Sequence, residues 1–463
     1  MTFSPPLARR LLSVLLLSAL GACALQTPPS TAELSQQQLQ VLEQQSRWAA
    51  PATDGQPASG WLADFNDPQL LQLAGEALAN NRDLKMAAAR VAQARALVTV
   101  NSGELFPAVA ANGVGGKSDT QILSLGASWE IDLWGRVRSQ ARAAESQYAS
   151  AQADYLWAEQ SLVATVARAW FATVQYGLLE RQMQEVVTAQ ESLLALTRQR
   201  VKTGIIADSE IQSVSSTLQQ QRDTLQQISL ARVQSIQALE VLLGRYPAAE
   251  LKTAVVLPAL PAAPAAGVPA SLLERRPDLI AAERRVAAAF DLTRSAEAAR
   301  LPRISISAAI TDIESDIFLL NSANNPIKGM SGSFLAPLFT GGALQAQVEV
   351  YSARQQEAAV AYGKAAIQAL QEVESGLRAT QSLALREQAL QQNVRDQQRL
   401  LEQERVRVKV GSRDPLAVLQ RQQALLDAQM SLVQVQAAAL NQRVNLLLAL
   451  GGSWNVPPVA ETN

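Results

Sequence analysis

The chain has no histidine and a single cysteine among its 463 residues. It therefore cannot hold a histidine-ligated metal or run a serine–histidine–aspartate triad, and one cysteine cannot form an internal disulfide. Aromatic residues make up only 5% of the chain, and 40 basic residues are balanced by 41 acidic ones. This balance gives no indication of nucleic-acid binding. Alanine, glutamine and leucine are abundant instead, a composition typical of long helices.

The one cysteine, Cys23, follows two arginines and a short apolar run, Leu11–Leu20. The run is too short to span a bilayer and predicts a signal peptide over residues 1–22. The letters "LGAC" that end it resemble the bacterial lipobox, which implies that Cys23 becomes the acylated N-terminus. In such signals, the alanine at position 24 implies sorting to the outer membrane. A buried structural cysteine after an ordinary signal peptide is the alternative.

The sequence is duplicated, with a repeat unit of roughly 200 residues. Asp83, Leu84, Ala87 and Arg90 match Asp278, Leu279, Ala282 and Arg285 at an offset of 195. Farther along the chain, "RVKTG" at 200–204 corresponds to "RVKVG" at 407–411. A unit of this length indicates two homologous halves rather than a solenoid module.

Each half predicts a helix, two strands, a long helix and a further helix. The predicted elements of the first half are 68–102, 105–115, 122–133, 136–203 and 208–243, and those of the second are 277–300, 303–311, 330–338, 343–410 and 414–450. The predicted segments are a signal peptide (1–22), a lipidated extended segment (23–67), the first repeat (68–244), a Pro/Ala linker (245–276), the second repeat (277–450) and a C-terminal tail (451–463). At 1.5 Å per residue, each long helix would reach about 100 Å.

The predicted strands alternate between apolar and polar residues. In 123–133 the apolar positions include Leu125 and Trp129, and in 303–311 they include Ile306 and Ile310. Strands of about ten residues with this alternation are typical of membrane β-barrels. Four strands cannot close a barrel around a pore, so several chains must contribute strands.

Three further motifs can be interpreted either as structural or as functional. The run "ANGVGGKS" (111–118) nearly matches a phosphate-binding loop, but a strand follows it where a helix is required. Glu130 and Asp132 could act as an acid/base pair, yet no accompanying nucleophile or metal cluster is present, and we interpret them as lumen-facing residues. Gly204 and Gly411 predict helix ends, and Asp208 and Asp414 predict caps of the following helices.

Several runs resemble the outer membrane factor family, in the lipoprotein branch that serves resistance-nodulation-division efflux pumps. They are "WEIDLWGRVR" (129–138), "ERRPDLIAAERRV" (274–286), "RLPRIS" (300–305), "PLFTGG" (337–342) and "LGGSW" (450–454). The resemblance implies a mainly α-helical protein with a membrane β part. Its duplicated strand–strand–long-helix–helix halves would form a trimeric twelve-stranded outer membrane β-barrel continuous with a periplasmic α-helical barrel.

The resemblance also implies functional positions at the helical tips. Thr203, Gly204, Ile205, Val410, Gly411 and Ser412 match the segments that a periplasmic adaptor contacts. Leu416 matches a constricting hydrophobic residue of the periplasmic gate. Gln420 stands where related ducts often carry an aspartate, so we expect a gate with weaker cation binding.

The function implied is a passive exit duct in the outer membrane, a homotrimer without catalysis or cofactor. It would be opened by a periplasmic adaptor (membrane fusion) protein and an inner-membrane resistance-nodulation-division pump, would contact outer membrane lipid and would bind no nucleic acid. A duct for type I protein secretion is the nearest alternative. A coiled-coil lipoprotein scaffold without a pore has no use for lipid-facing isoleucines, and an envelope enzyme lacks a catalytic constellation.

Overall fold

A computed structural model describes residues 27–39, 47–53, 55–56, 59–115, 120–315, 320–321 and 327–454. Cys23 and the predicted signal peptide lie outside the described residues. The chain forms two compact units, one from Met1–Glu43, Ala89–Asp154 and Asp278–Ala365, the other from Gln44–Ala88, Tyr155–Pro277 and Ala366–Asn463. Each unit draws on both halves of the duplication, so the sequence repeats are not independent domains.

Helices dominate the described residues. They are α1 (Thr31–Gln38), α2 (Pro68–Asn80), α3 (Arg82–Gly103), α4 (Arg136–Lys202), α5 (Ser209–Leu242), α6 (Leu272–Arg275), α7 (Pro277–Ala298), α8 (Ala343–Lys409) and α9 (Pro415–Ala449). The two long helices, α4 and α8, contain 67 residues each, as the sequence predicts to within a residue at either end.

Two predictions are wrong, one about a helix and one about an extended segment. The single helix expected over 68–102 is broken at Asn81, whose ψ of 131° leaves the helical region. The Asn81 side chain accepts the Leu84 N–H at 3.1 Å and donates to the Leu242 carbonyl at 3.1 Å, so it caps α3 and anchors it to the end of α5. The segment expected to be extended over 23–67 contains α1, which begins with a capping box between Ser30 and Glu33.

The strands form one antiparallel sheet in the first unit. They are β1 (Ala108–Val114), β2 (Thr120–Ile131), β3 (Arg303–Ser315), β4 (Leu320–Asn321) and β5 (Ile327–Leu335). β2 and β3 pair centrally, β1 lies beside β2, and β5 and the short β4 lie beside β3. All four predicted strands differ from prediction at their ends. β1 begins after Pro107, which cannot donate to a ladder, and β2 lies two residues nearer the N-terminus than predicted. β5 begins three residues earlier than predicted and ends before Pro337, and β3 runs four residues farther because it continues to pair with β2 and also pairs with β4.

In the first unit, ion pairs join α7 to the first part of α4. Arg142 Nε lies 3.1 Å from Asp291 Oδ1, and the Asp291 side chain is almost fully buried. Burial raises the pKa of Asp291, and the neighbouring Arg142 guanidinium opposes this rise. Arg285 pairs with Asp154 at the surface of the same contact. The two ion pairs, Arg142–Asp291 and Arg285–Asp154, therefore hold α7 against α4.

The second unit has a hydrophobic core where α2 packs against the middle of α4. Trp61, Phe65, Trp170 and Phe171 are at most 1% exposed in this cluster. The Phe65 and Phe171 rings lie 5.3 Å apart between centroids. α4 is also the one helix among the described residues that is long and apolar enough to cross a membrane, but more than half of its apolar stretch is buried. Its apolar face is therefore accounted for by packing.

Asp67 supports this core through two hydrogen bonds, which gives a stability prediction. Its carboxylate accepts the Leu70 N–H at 3.0 Å as the cap of α2 and the buried Trp170 indole N–H at 2.7 Å. Asp67→Ala removes the cap and leaves the indole donor unpaired, so we expect a loss of about 2–4 kcal/mol. Urea unfolding followed by tryptophan fluorescence measures this loss.

Asp64→Ala is the matched control, since Asp64 is exposed and lies three residues away. Its unfolding midpoint should stay at that of the wild type. An unchanged midpoint for Asp67→Ala would contradict the assigned role.

Candidate functional site

The central strands present one apolar face to the outside of the chain. In the register of β2 and β3, Leu125 lies opposite Ile310 and Trp129 lies opposite Ile306, so all four side chains share one face. Leu125 is 53% exposed, Trp129 38% and Ile306 37%. The two-faced alternation is therefore confirmed and these side chains are not buried in a core, whereas contact of this face with lipid stays a prediction.

The opposite face of the sheet is polar. Ser305 lies opposite Ser333, and Ser307 lies opposite Ser331. The hydroxyl oxygens of these pairs are 2.6 and 2.8 Å apart, so they form a ladder of hydrogen bonds across β3 and β5. Ser128 continues the same face onto β2, opposite Ser307. One sheet therefore separates a continuous apolar surface from a hydroxyl-lined one.

The edges of the sheet carry no partner strand within the described residues. β1 pairs only with β2, and β5 pairs only with β3. Every residue of both strands is exposed. Unpaired strand edges of this kind can only be tolerated in hydrocarbon if another chain pairs with them.

Aromatic side chains mark the end of the apolar face near the start of the long helix. Trp129 donates its indole N–H to the Leu105 carbonyl at 3.0 Å, and Trp134 donates to the Pro302 carbonyl at 2.7 Å. Phe334, near the end of β5, and Phe339, four residues after that strand, are also exposed. Indole rings with a bound N–H and an exposed apolar body suit a membrane–water interface.

Glu130 and Asp132 lie where β2 passes into α4. The Glu130 carboxylate binds the Arg136 guanidinium through two contacts of 3.0 Å. Asp132 accepts the N–H groups of Val137 and Arg138 at 3.1 and 2.9 Å and also pairs with the Arg138 side chain. Both carboxylates therefore hold the first turn of the helix, where negative charge also complements the helix dipole. This structural role leaves neither of them free as an acid/base pair.

The near match to a phosphate-binding loop has no helix after it. Residues 116–118 of "ANGVGGKS" lie outside the described residues, but Thr120 already belongs to β2. Because a phosphate-binding loop requires a helix N-terminus at that point, the interpretation as a loop between two strands is favoured.

The two helical tips have the same backbone geometry. Gly204 and Gly411 have φ values of 70° and 75°, a left-handed conformation that favours glycine. Ile205 N–H donates to the Arg200 carbonyl at 3.0 Å, and Ser412 N–H donates to the Arg407 carbonyl at 2.9 Å. These bonds close a Schellman motif at the end of each long helix, as the glycines predicted.

Asp208 and Asp414 were predicted to cap the helices that follow the tips, and the prediction is confirmed for one of them and wrong for the other. Asp414 accepts the Leu416 N–H at 2.7 Å and caps α9. Asp208 does not cap α5, because its own backbone is already helical and its carboxylate accepts from Gln212 at 3.3 Å. Asp414 also binds the Arg200 guanidinium, an ion pair that no sequence pattern indicated. The end of α4 and the start of α9 are thereby joined.

The residues predicted at the tips are exposed, including Thr203, Ile205, Val410 and Ser412. Leu416 and Gln420 lie one turn apart on the same face of α9, with Leu416 half-buried and Gln420 exposed. The structure thus brings the tip residues and both gate candidates to the ends of the long helical hairpins.

Comparison with known proteins connects this architecture to a family. The family described as outer membrane efflux protein matches residues 73–245 and 268–452, most of the chain. The chain belongs to the outer membrane efflux protein family. It is similar to the probable efflux pump outer membrane protein TtgC of Pseudomonas putida, at 32% identity over 417 residues that cover 85% of each chain.

Solved structures agree with this assignment. The outer-membrane channel OprN matches with a TM-score of 0.79 and 26% identity, covering 88% of this chain and 95% of that one. The MtrE outer membrane channel of Neisseria gonorrhoeae, described in its open state, matches with a TM-score of 0.76 and 26% identity over 89% and 97% of the two chains. The chain therefore has the mainly helical fold of outer membrane efflux channels, and its family consists of such channels rather than enzymes.

The two faces of β2 give a direct test of which one meets lipid. Leu125→Arg places a cation on the apolar face, where a charge in the hydrocarbon costs about 2–4 kcal/mol at mid-depth. Ser124→Arg places the same side chain one residue away on the polar face. We expect much less Leu125→Arg protein than wild type in the outer membrane fraction, as measured by immunoblot after sucrose-gradient separation.

Ser124→Arg should accumulate in the outer membrane at about the wild-type level. Equal membrane accumulation of the two variants would show that the apolar face of the sheet does not contact lipid.

Proposed function

We propose that three copies of this chain form a passive exit duct in the outer membrane of a tripartite efflux system. Each copy supplies four strands to one twelve-stranded barrel, and the helices build a periplasmic α-helical barrel below it. The single observation that carries the proposal is a sheet with an exposed apolar face, a hydroxyl-lined opposite face and edges that no other described strand pairs with. Closure of a barrel from several chains satisfies all three features at once.

The chemistry of the two sheet faces supports an aqueous lumen. Membrane barrels place apolar side chains towards lipid and polar side chains inside. With Leu125 and Ile306 towards lipid, Ser305 and Ser307 line the lumen. Glu130 extends the polar face towards the helical duct, and Asp132 follows it at the junction. We therefore propose Glu130 and Asp132 as residues near the lumen whose charge is shared with Arg136 and Arg138.

We also propose a lipid anchor at the N-terminus and a helical wall for the duct. Cys23 would be acylated and would hold the N-terminus at the membrane, as its lipobox-like context implies. The long helices α4 and α8 each extend about 100 Å, a length suited to the wall of a periplasmic conduit. The names of relatives as efflux pump components support this placement.

The exposed tips are the proposed contact with a periplasmic adaptor, and the inner-membrane resistance-nodulation-division pump would supply the energy. Six tip residues form this surface: Thr203, Gly204, Ile205, Val410, Gly411 and Ser412. Ile205 and Val410 are about 70% exposed, an apolar content that suits burial by a partner helix. The pair of Arg200 with Asp414 joins the two hairpins, so adaptor binding beside it can shift their relative position.

The gate itself is proposed at Leu416 and Gln420. A threefold ring of leucines narrows the duct and excludes water, and a ring of glutamines one turn on adds hydrogen-bonding groups without charge. A duct with this gate closes largely by packing, so its closure should depend weakly on salt. The related MtrE channel is described in an open state, which supports a gate with more than one position.

A bulky substitution at the tip tests the adaptor contact and the exit-duct function together. Gly411→Trp introduces a large side chain at a left-handed position on the proposed contact surface. In a deletion strain that supplies adaptor and pump, wild type should restore drug resistance, and Gly411→Trp should leave the strain as sensitive as the deletion. Trimer formation should persist, because the sheet is unchanged.

Gly411→Asn is the matched control, since asparagine tolerates the left-handed conformation and adds little volume. It should restore resistance. Full resistance with Gly411→Trp would remove the tip from the contact surface, and wild-type protein without conductance in planar bilayers would refute the duct.

Restoring a carboxylate at the gate tests the assignment of Gln420. Gln420→Asp places three negative charges in one ring, and each carboxylate within 4 Å of a divalent cation contributes on the order of 1–2 kcal/mol in water. We expect half-block of single-channel conductance at a Ca²⁺ concentration roughly tenfold or more below that for wild type.

Gln420→Asn shortens the side chain equally without adding charge, so its Ca²⁺ response should match wild type. An unchanged response of Gln420→Asp would place Gln420 outside the constriction.

A further inference from the structure

A cavity of about 530 Å³ lies in the second unit beneath residues 256–260 of the Pro/Ala linker. Three helices form its floor: α4 contributes Leu178, α8 contributes Glu387, and α9 contributes Val433 and Leu440. Val433 and Leu440 are buried apolar side chains, and Glu387 and Gln436 supply the polar groups of the floor. The volume lies within the range that small-molecule sites occupy, and so does the mainly apolar lining.

The linker above the cavity is held at both ends by arginines, and we name residues 256–260 the strap. At one end Arg181 Nη2 donates to the Val255 carbonyl at 2.7 Å. At the other end Arg443 donates to the carbonyls of Pro261 and Ala262. Arg443 is only 4% exposed, and its guanidinium makes no ion pair with a carboxylate among the described residues. Its hydrogen bonds therefore serve the strap.

The strap is also stiff. Pro258 and Pro261 have fixed φ angles, which reduces the number of conformations that the chain can adopt between the two arginines. A segment that is pinned at both ends and restricted inside cannot collapse freely onto the helices below it. The cavity is therefore a preformed space, and a ligand would meet little ordering cost on entry.

One ionisable group lines the cavity. Glu387 Oε1 accepts from Gln391 at 3.1 Å and from Gln436 at 3.2 Å, two neutral amides. No ion pair among the residues that the structure describes includes Glu387. The amides orient the carboxylate without neutralising it, so an apolar surround and a single negative charge face the same space. This combination is complementary to a cation with a large apolar body.

We propose that the strap cavity binds a lipophilic organic cation of drug size, with its apolar body under residues 256–260 and its charge beside Glu387. The site lies on the helical wall and involves none of the sheet, tip or gate residues. Binding requires neither conduction nor an adaptor, so it can succeed or fail independently of the proposed duct function.

Equilibrium dialysis of tetraphenylphosphonium against the purified full-length protein in lipid nanodiscs tests the proposal, with empty nanodiscs subtracted. Wild type should show saturable binding. Glu387→Gln retains the hydrogen bonds to the amides and removes the charge, and should weaken binding at least tenfold. Ala439→Leu, which fills part of the cavity floor, should weaken binding of the cation while leaving Glu387 in place.

Glu402→Gln on the same helix is the matched control. Glu402 is exposed and lies 3.6 Å from Arg405 at the surface, so its loss should leave the affinity unchanged. Triphenylphosphine oxide, a neutral compound of similar shape, should bind wild type weakly.

Three results would overturn the proposal: no saturable binding by wild type, equal affinity of wild type and Glu387→Gln, or equal binding of the neutral compound. Loss of oligomers in Glu387→Gln by mass photometry, without cation binding by wild type, would instead assign Glu387 to a basic side chain of a second copy.

Discussion

Backbone N–H and C=O groups that enter hydrocarbon must all be hydrogen-bonded, because no water is present to replace a missing partner. In the part of the chain that the structure describes, the central pair, β2 and β3, satisfies its ladders, whereas β1 and β5 each leave one edge open. The apolar face across Leu125 and Ile306 is likewise exposed. A sheet of this kind is incomplete as a single chain, and the proposed assembly, lipid contact and aqueous lumen all follow from completing it.

The junctions between strands and helices show how a duplicated sequence diverges at its two ends. In the first half Asp132 caps α4 with two backbone hydrogen bonds. Aligning Leu133-Trp134 with Leu338-Phe339 places Pro337 at the matching position of the second half, and proline has no side-chain acceptor. At the helical tips the second half has the cap and the first half lacks it, since Asp414 caps α9 and the Asp208 side chain does not cap α5. The hairpin of α4 and α5 therefore has an aspartate cap at the start of α4, and the hairpin of α8 and α9 has one at the start of α9. The Arg200–Asp414 pair adds a connection between the hairpins that the repeat alone would not produce.

The periodicity of apolar residues and the positions of glycines predicted much of this structure. The long helices, the Schellman ends at Gly204 and Gly411 and the alternating faces of β2 and β3 all agree with prediction, because each depends on residues close in sequence. The break at Asn81 was missed since the residues around it retain helical periodicity; it is produced by a contact with Leu242, far along the chain. The sequence did not indicate the extra length of β3 for a similar reason, as this length depends on pairing with the start of β2 and with β4.

The sequence by itself determined the helical and strand periods, the two-faced character of the strands and the duplication, because these are properties of local spacing and of side-chain polarity. Only the tertiary structure decided which distant groups meet. It joined Arg142 to Asp291 and Arg443 to the linker carbonyls, and it placed Glu387 in an apolar cavity with neutral partners. Such contacts depend on how helices pack in three dimensions, and the energy of a charged group depends on the partners and burial that packing provides.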